Sequence, residues 1–185
     1  MASYVGEGRV TDVGLFDAKT VTAPFDVGQL GRPVYDQHGN EFKLVLAGGV
    51  VAEGALAIFD QADPGDALAA TPANLTALAS DTQRREQKVG AAQCVGGAVA
   101  GQAFWVCTKK VSNEQGDIQL LAEAATAAGA PQFIEVGGSG GIDDAGASGS
   151  YAVEGIDVTT GFGPGLAADA VWPNGIRVLT GTIVP

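Results

Sequence analysis

The segment from Val95 to Val111, VGGAVAGQAFWVCTKKV, constrains the fold more than any other stretch of the chain. Its glycines come first, and its bulky residues Phe104, Trp105 and Val106 arrive together later. Cys94 and Cys107 lie equally far from the Ala100-Gly101 pair. If that pair centres a turn, the segment is an antiparallel hairpin in which Val95 faces Val106, Gly96 faces Trp105 and Gly97 faces Phe104. Opposed residues in such a pair bring their Cβ atoms to about 5 Å. A glycine opposite an aromatic leaves room for the ring to lie across the partner backbone. Gly96, Gly97, Gly101, Phe104 and Trp105 are therefore expected to be structural residues of the hairpin. In this register Trp105 covers Gly96, and the two cysteines are cross-strand neighbours.

Similar signals recur along the chain. PVYDQHGNEFKLVLAG, residues 33–48, places Asp36-Gln37-His38-Gly39-Asn40, with its turn chemistry, between Val34-Tyr35 and an alternating run. Phe42, Leu44 and Leu46 alternate there with Glu41, Lys43 and Val45, which predicts a half-buried strand. A further strand is expected at Ala55–Phe59, and others at PQFIEV, Ala152–Thr160, Ala170–Trp172 and Ile176–Val184. AEGALAIFD, AGQAFWVC and AGAPQFIEV each set a glycine after a small residue and a Phe a few positions on. Their unequal spacing excludes a solenoid and suggests several hairpins built on one plan. Glycine accounts for 28 of 185 residues, roughly twice the usual 7%. The fold class read from this is mainly β: a small antiparallel barrel or sandwich built from hairpins, with an extended N-terminal arm and at most one short helix.

The domain reading has two parts. Residues 1–31 are an arm in which Gly6, Gly8, Gly14 and Pro24 break any helix. Residues 32–185 are the β-rich domain. Within it, 63–88 is a helical insert or a long loop, with ANLTALASDTQRREQ as the helix candidate. IQLLAEAATAAG, residues 118–129, reads as helix by propensity, but it ends at a glycine and runs into the strand PQFIEV, so strand is equally open. GGSGGIDDAGASGS, residues 137–150, reads as a flexible loop.

Reactive groups are sparse. The single histidine, His38, falls in a predicted turn, and both cysteines fall on predicted strands, where Cys is usually a small buried hydrophobe. Asp60, Asp63 and Asp66, and the pair Asp143-Asp144, are the acidic spots that suggest a cation, but GGxGxD is broken by Ile142. No P-loop or dinucleotide fingerprint occurs. The expectation is no catalytic residue, no metal and no cofactor. A net charge of −11 disfavours nucleic acid. The basic clusters Arg84-Arg85-x-x-Lys88 and Lys109-Lys110 read as solvated strand edges or loops. No apolar run reaches membrane-spanning length, and MASYVGEGRVTD has no leader pattern, so cytoplasmic synthesis with reduced thiols is expected.

Several motifs resemble those of the tailed-phage capsid decoration (cement) proteins. VYDQHGNEFKLVLAGGVVAEGALAIFD is similar to that family's turn, aromatic strand, Ala-Gly stretch and second strand. Val95, Gly96, Ala98, Gly101, Gln102, Phe104, Trp105 and Val106 resemble its Val-Gly-x-Ala-x-x-Gly-Gln-aromatic-x-Trp-Val hairpin. LLAEAATAAGAPQFIEVGGSGGIDDA is similar to the family's next segment of strand, turn and glycine loop, which tips residues 118–127 toward strand. The similarity covers residues 33–60 and 89–160. It implies a β-barrel-like homotrimer on the capsid exterior that binds the major capsid protein and performs no catalysis. A carbohydrate- or cation-binding β module of a tail or surface structure is the alternative. The arm residues Tyr4, Val5, Leu15, Phe16 and Phe25 are irregularly spaced and cannot form a self-buried amphipathic element, so they are the candidate capsid or subunit contacts.

Overall fold

The structure is a computed structural model that describes residues 30–60, 66–69, 71, 74–75, 87–113, 118–135 and 137–182. The arm and its candidate contacts Tyr4, Val5, Leu15, Phe16 and Phe25 lie outside the described residues. The chain is mainly β. Its strands are β1 (Pro33–Tyr35), β2 (Glu41–Leu46), β3 (Leu56–Asp60), β4 (Leu68–Ala69), β5 (Gln87–Ala92), β6 (Ala103–Lys109), β7 (Leu120–Ala122), β8 (Gln132–Ile134), β9 (Tyr151–Glu154), β10 (Asp157–Val158), β11 (Gly165–Ala167), β12 (Ala170–Val171) and β13 (Arg177–Thr182). A six-stranded sheet runs β1-β2-β6-β5-β3-β4, leaving β1 and β4 as its edges. The later strands form the sheets β13-β9-β8, β11-β7 and β10-β12, and every strand pairing is antiparallel.

The first hairpin forms as the turn residues predict, with Val34 opposite Phe42 and Tyr35 opposite Glu41. Asp36 organises its turn. One carboxylate oxygen accepts the backbone N–H of His38 and of Asn40, each at 2.9 Å, and the other accepts the Asn40 side-chain amide at 2.7 Å. Gly39 takes a φ of +86° there, a conformation glycine adopts without strain.

Period-two alternation places the large sheet between two cores. Phe42, Leu56, Ile58, Val89, Ala91 and Cys107 face the larger one, together with Ile118, Leu120, Ile134, Ile142, Tyr151, Val153 and Trp172 from the second layer. Val45, Ala57, Phe59, Ala92, Phe104 and Val106 face the smaller one, which the loops carrying Ala47, Val51, Cys94 and Ala98 cover. The expectation of a half-buried β2 is thereby corrected. Glu41, Lys43 and Val45 are buried as well, because loops close over the face that would otherwise be wet.

One ambiguous segment resolves: within 118–129, Leu120–Ala122 is a strand, paired with β11. Of the 63–88 insert, the described residues Leu68–Ala69 form β4 and residues 87–88 begin β5, both paired with β3. Between them, Thr71 accepts the N–H of Leu75 on its carbonyl at 2.8 Å and that of Asn74 on its hydroxyl at 3.3 Å, the bonding of a helix start. The remainder of the helix candidate lies outside the described residues. The 137–150 loop is packed rather than free: Ile142 and Ser150 are fully buried, and Phe133 and Asp143 exchange backbone hydrogen bonds.

The three echoed motifs share a cause. Gly54, Gly101 and Gly129 have φ of +71°, +83° and +69°, and each precedes the strand that holds its Phe. Gly54 is the tightest. A Cβ there would lie 2.8 Å from the Leu121 nitrogen and 2.6 Å from Leu166 Cδ2, whereas one on Gly129 would meet nothing within 4 Å. Gly129→Ala should therefore cost only the left-handed backbone term, about 1 kcal/mol. Gly54→Ala should cost that and the clash, about 3 kcal/mol or more. Urea unfolding midpoints of the two variants check the difference, and equal losses would contradict the packing at Gly54.

Candidate interaction surface

The β5–β6 pairing exists, but its register differs from the symmetric one. Ala92, not Val95, lies opposite Val106, and Ala91 lies opposite Cys107. The chain leaves the ladder after Gln93, whose N–H bonds the Trp105 carbonyl at 2.8 Å. Gly96 and Gly97 then take φ of +80° and +83° in a turn closed by the Gly97 N–H on the Cys94 carbonyl. Gly101 sits in a second turn, closed from Gln102 to Val99. Composition cannot distinguish a strand glycine from a left-handed turn glycine, and these are turn glycines. Trp105 therefore does not cover Gly96, where an added Cβ would meet nothing within 4 Å. Trp105 packs against the larger core and Phe104 is fully buried in the smaller one. Cys94 and Cys107 are free, buried and members of different cores, so they are not cross-strand neighbours.

The displaced glycine segment builds a tip together with the β2–β3 loop. Val51 and Ala98 exchange backbone hydrogen bonds of 2.9 and 2.8 Å. Ala47 donates to the Gln102 carbonyl at 2.8 Å and accepts from Gly101 at 2.7 Å. Glu53 caps the Gly96 N–H at 2.6 Å, and the Gln102 side chain accepts from Val99. On the underside Ala47, Val51, Cys94 and Ala98 are buried. On the outer side Val50 is 75% exposed, Val99 52% and Val95 43%. Three valines thus stand in water on a doubly bonded loop pair, and residues 94–102 carry no charged side chain.

His38 and the acidic side chains at the glycine loop are engaged in local hydrogen bonds. His38 is exposed and hydrogen-bonds Gln37. Asp143 accepts the Ala145 N–H, Asp144 accepts that of Ala127, and Glu123 accepts Ser139 and Gly141 within the glycine loop. Asp60 and Asp66 are described and Asp63 is not. Among the described residues, no three His, Cys, Asp or Glu side chains gather as a metal site. Glu41 is a denser node. It accepts the Tyr35 hydroxyl at 2.9 Å and the Thr108 hydroxyl at 2.8 Å, and it pairs with Lys109 at 3.3 Å. Burial alone would push its carboxyl up, but the Thr108, Tyr35 and Lys109 donors outweigh it and hold it below the usual range.

The reading of Lys109-Lys110 as solvated is half corrected. Lys109 is on the surface, but Lys110 is fully buried. Its ammonium donates to the Ile118 carbonyl at 3.1 Å and to the Ala168 carbonyl, and it lies 5.6 Å from the centre of the Trp172 ring. Nothing in the local sequence marked it, because its acceptors are backbone groups 8 and 58 residues further along the chain. The three tip valines were also missed: VGGAV holds Val95 and Val99, but Val50 lies in a separate loop.

Comparisons with protein-family models, with curated proteins and with solved structures find nothing similar to this chain. No helix among the described residues is long and apolar enough to cross a membrane.

Burial pushes the Lys110 ammonium down to about 8, against the pull of Cys107 and Asp169. A lysine lowered in the folded state is protonated more readily by the unfolded chain, so its contribution to stability rises with pH from about 8 to the ordinary lysine range. The thiols act oppositely. Burial pushes Cys94 up to about 11 and Cys107 well up, so the fold loses stability as pH rises through the ordinary thiol range. The diagnostic quantity is therefore the difference between the native chain and Lys110→Met. At neutral pH the variant should be less stable by about 2 kcal/mol, because two buried carbonyls lose their donor. The gap should widen between pH 8 and 10. Chemical unfolding across that range measures it, and a constant gap would show that Lys110 does not titrate there.

Proposed function

We propose that the chain is a structural virion protein. In this reading it decorates the exterior of a phage capsid, binds the major capsid protein and self-associates as a homotrimer. The observation that carries the proposal is the valine tip. An isolated exposed valine needs no explanation, but Val50 and Val99 flank the antiparallel Val51–Ala98 bridge and so form a small apolar surface already held in shape, with Val95 exposed on the same loop as Val99. Valine is stiff at χ1, and the backbone beneath is fixed, so docking such a tip costs little conformational entropy. Each valine transferred from water contributes up to about 1.5–3 kcal/mol. This is recognition by shape and burial, which suits a clamp between large protein surfaces.

The test is co-sedimentation and negative-stain imaging of purified protein with capsids that lack it. Val50→Asp with Val99→Asp should leave the fold intact and weaken capsid binding by about tenfold or more, because each charge must be dehydrated in the contact. Deletion of residues 2–20 should weaken binding by a similar factor if the arm is a second contact. Light scattering should give three copies per particle. Full-length protein that neither decorates capsids nor self-associates would overturn the proposal.

A further inference from the structure

The charges beside the valine tip are of one sign. From residue 44 to residue 59 the one charged side chain is Glu53, and residues 94–102 carry none. Glu53 is half-buried, and its carboxylate accepts the Gly96 N–H at 2.6 Å, next to Val95. Asp66 is exposed on the adjoining strand of chain. A Cβ on Gly48, two residues before Val50, would overlap the Asp66 carboxylate. Its neighbour Ala67 donates to the Leu46 carbonyl and accepts the Gly48 N–H, so the position of Asp66 beside the tip is fixed by backbone bonds. The cations lie elsewhere. Leu46 opposes Ala103, Leu56 opposes Ala91 and Ala92 opposes Val106, which sets these strand ends toward the tip. Lys109 ends β6 about 20 Å from Ala103, and Lys88 lies about 13 Å along β5 from Ala92. Lys110 follows Lys109 and is buried. Lys43 opposes Pro33, the neighbour of Arg32, about 10 Å along β2 from Leu46. Arg177 lies two residues past Gly175, which packs by the Thr108 carbonyl at the far end of β6. No described basic residue therefore belongs to the tip.

We propose that the valine tip docks in an apolar pocket, on a partner protein, whose rim carries lysine or arginine. Val50, Val95 and Val99 supply the apolar contact, and Glu53 and Asp66 meet the basic rim. Glu53 is already held by the Gly96 N–H, so it loses little freedom on pairing. Charge of this pattern selects a partner as much as it adds affinity, because a like-charged surface is repelled. A second copy of this chain, at a net charge of −11, is thereby disfavoured at the tip, as are nucleic acid and anionic lipid. The inference rests on the tip being a contact surface, as proposed above, and adds the chemistry of what receives it.

The experiment titrates the full chain with two synthetic helical peptides of equal length, one of leucine and lysine and the other of leucine and glutamate. Backbone amide spectra are the readout. A chain this acidic attracts any cationic peptide loosely, so the diagnostic signal is a saturable shift confined to the tip. The expected result is such a shift at Val50, Val95 and Val99 with the lysine peptide, weakened by added salt, and none with the glutamate peptide. Glu53→Gln and Asp66→Asn keep a hydrogen-bond acceptor at each position and should each weaken binding by about threefold, the scale of one exposed charge. No tip shift, an equal response to both peptides, or unchanged affinity in both variants overturns the proposal. Capsid co-sedimentation is measured alongside. A tip shift without capsid binding defeats the virion reading alone, and capsid binding without a tip shift defeats this proposal alone.

Discussion

One buried ammonium group ties the two layers of this protein together. Lys110 lies just past the end of β6, and its side chain enters the larger core rather than water. There it joins three places in the sequence: its own strand end, the Ile118 carbonyl ahead of β7 and the Ala168 carbonyl ahead of β12. Trp172 completes the arrangement. Its backbone N–H donates to the Lys110 carbonyl at 2.9 Å, its indole N–H donates to the Cys107 carbonyl at 3.2 Å, and its ring faces the ammonium. The second layer consists of strands of two to six residues, so many of its backbone carbonyls have no ladder partner. Buried carbonyls need donors, and an ammonium supplies up to three in any direction. A lysine can thus stand in for a missing strand, at the cost of dehydrating a charge, a cost lowered by the carbonyl dipoles and the indole face.

The same shortage of regular pairing explains the glycine content. Short strands require many reversals, and many of these pass through left-handed backbone. Gly54 is the clearest case, because its neighbours approach within contact distance and its backbone bonds both layers. Its N–H reaches the Ala92 carbonyl, and its own carbonyl accepts from Leu121. A side chain there would separate the main sheet from β7.

Local chemistry was legible in the sequence, and distant pairing was not. The hairpin of β1 and β2 could be read because Asp36, Gly39 and Asn40 carry both the turn and its hydrogen bonds within five residues. The mainly β class came from alternation and turn chemistry in the same way. The register of Ala92 with Val106 could not be read, because it depends on Ala98 bonding Val51, a residue in another loop. Symmetry about Ala100-Gly101 was a local argument, and a distant contact overruled it. The tip valines were hidden for the same reason, since only the Val51–Ala98 bridge brings Val50 and Val99 to one surface. Lys110 resembled its surface neighbour Lys109, and only the three-dimensional path of residues 118 and 168 separates them.

The smaller core connects the fold to the proposed role. It is built from Ala47, Ala55, Ala57, Ala67, Ala92 and Ala98 around Phe59 and Phe104. Alanines bring the covering loops close to the sheet, near enough for Gly101 to bond Ala47 and for Gly97 to pass beside Val51, where a Cβ would lie 2.9 Å from the Val51 oxygen. Loops held this closely have few ways to move without breaking backbone bonds. Their outward residues are therefore presented in one arrangement, while their inward residues serve as core. A surface of this kind gains affinity from being shaped in advance rather than from its extent. Its apolar area is small against the roughly 800 Å² per partner of a standard interface. The valine tip is thus suited to be one contact among several, which is how a protein repeated many times over a large assembly can hold on.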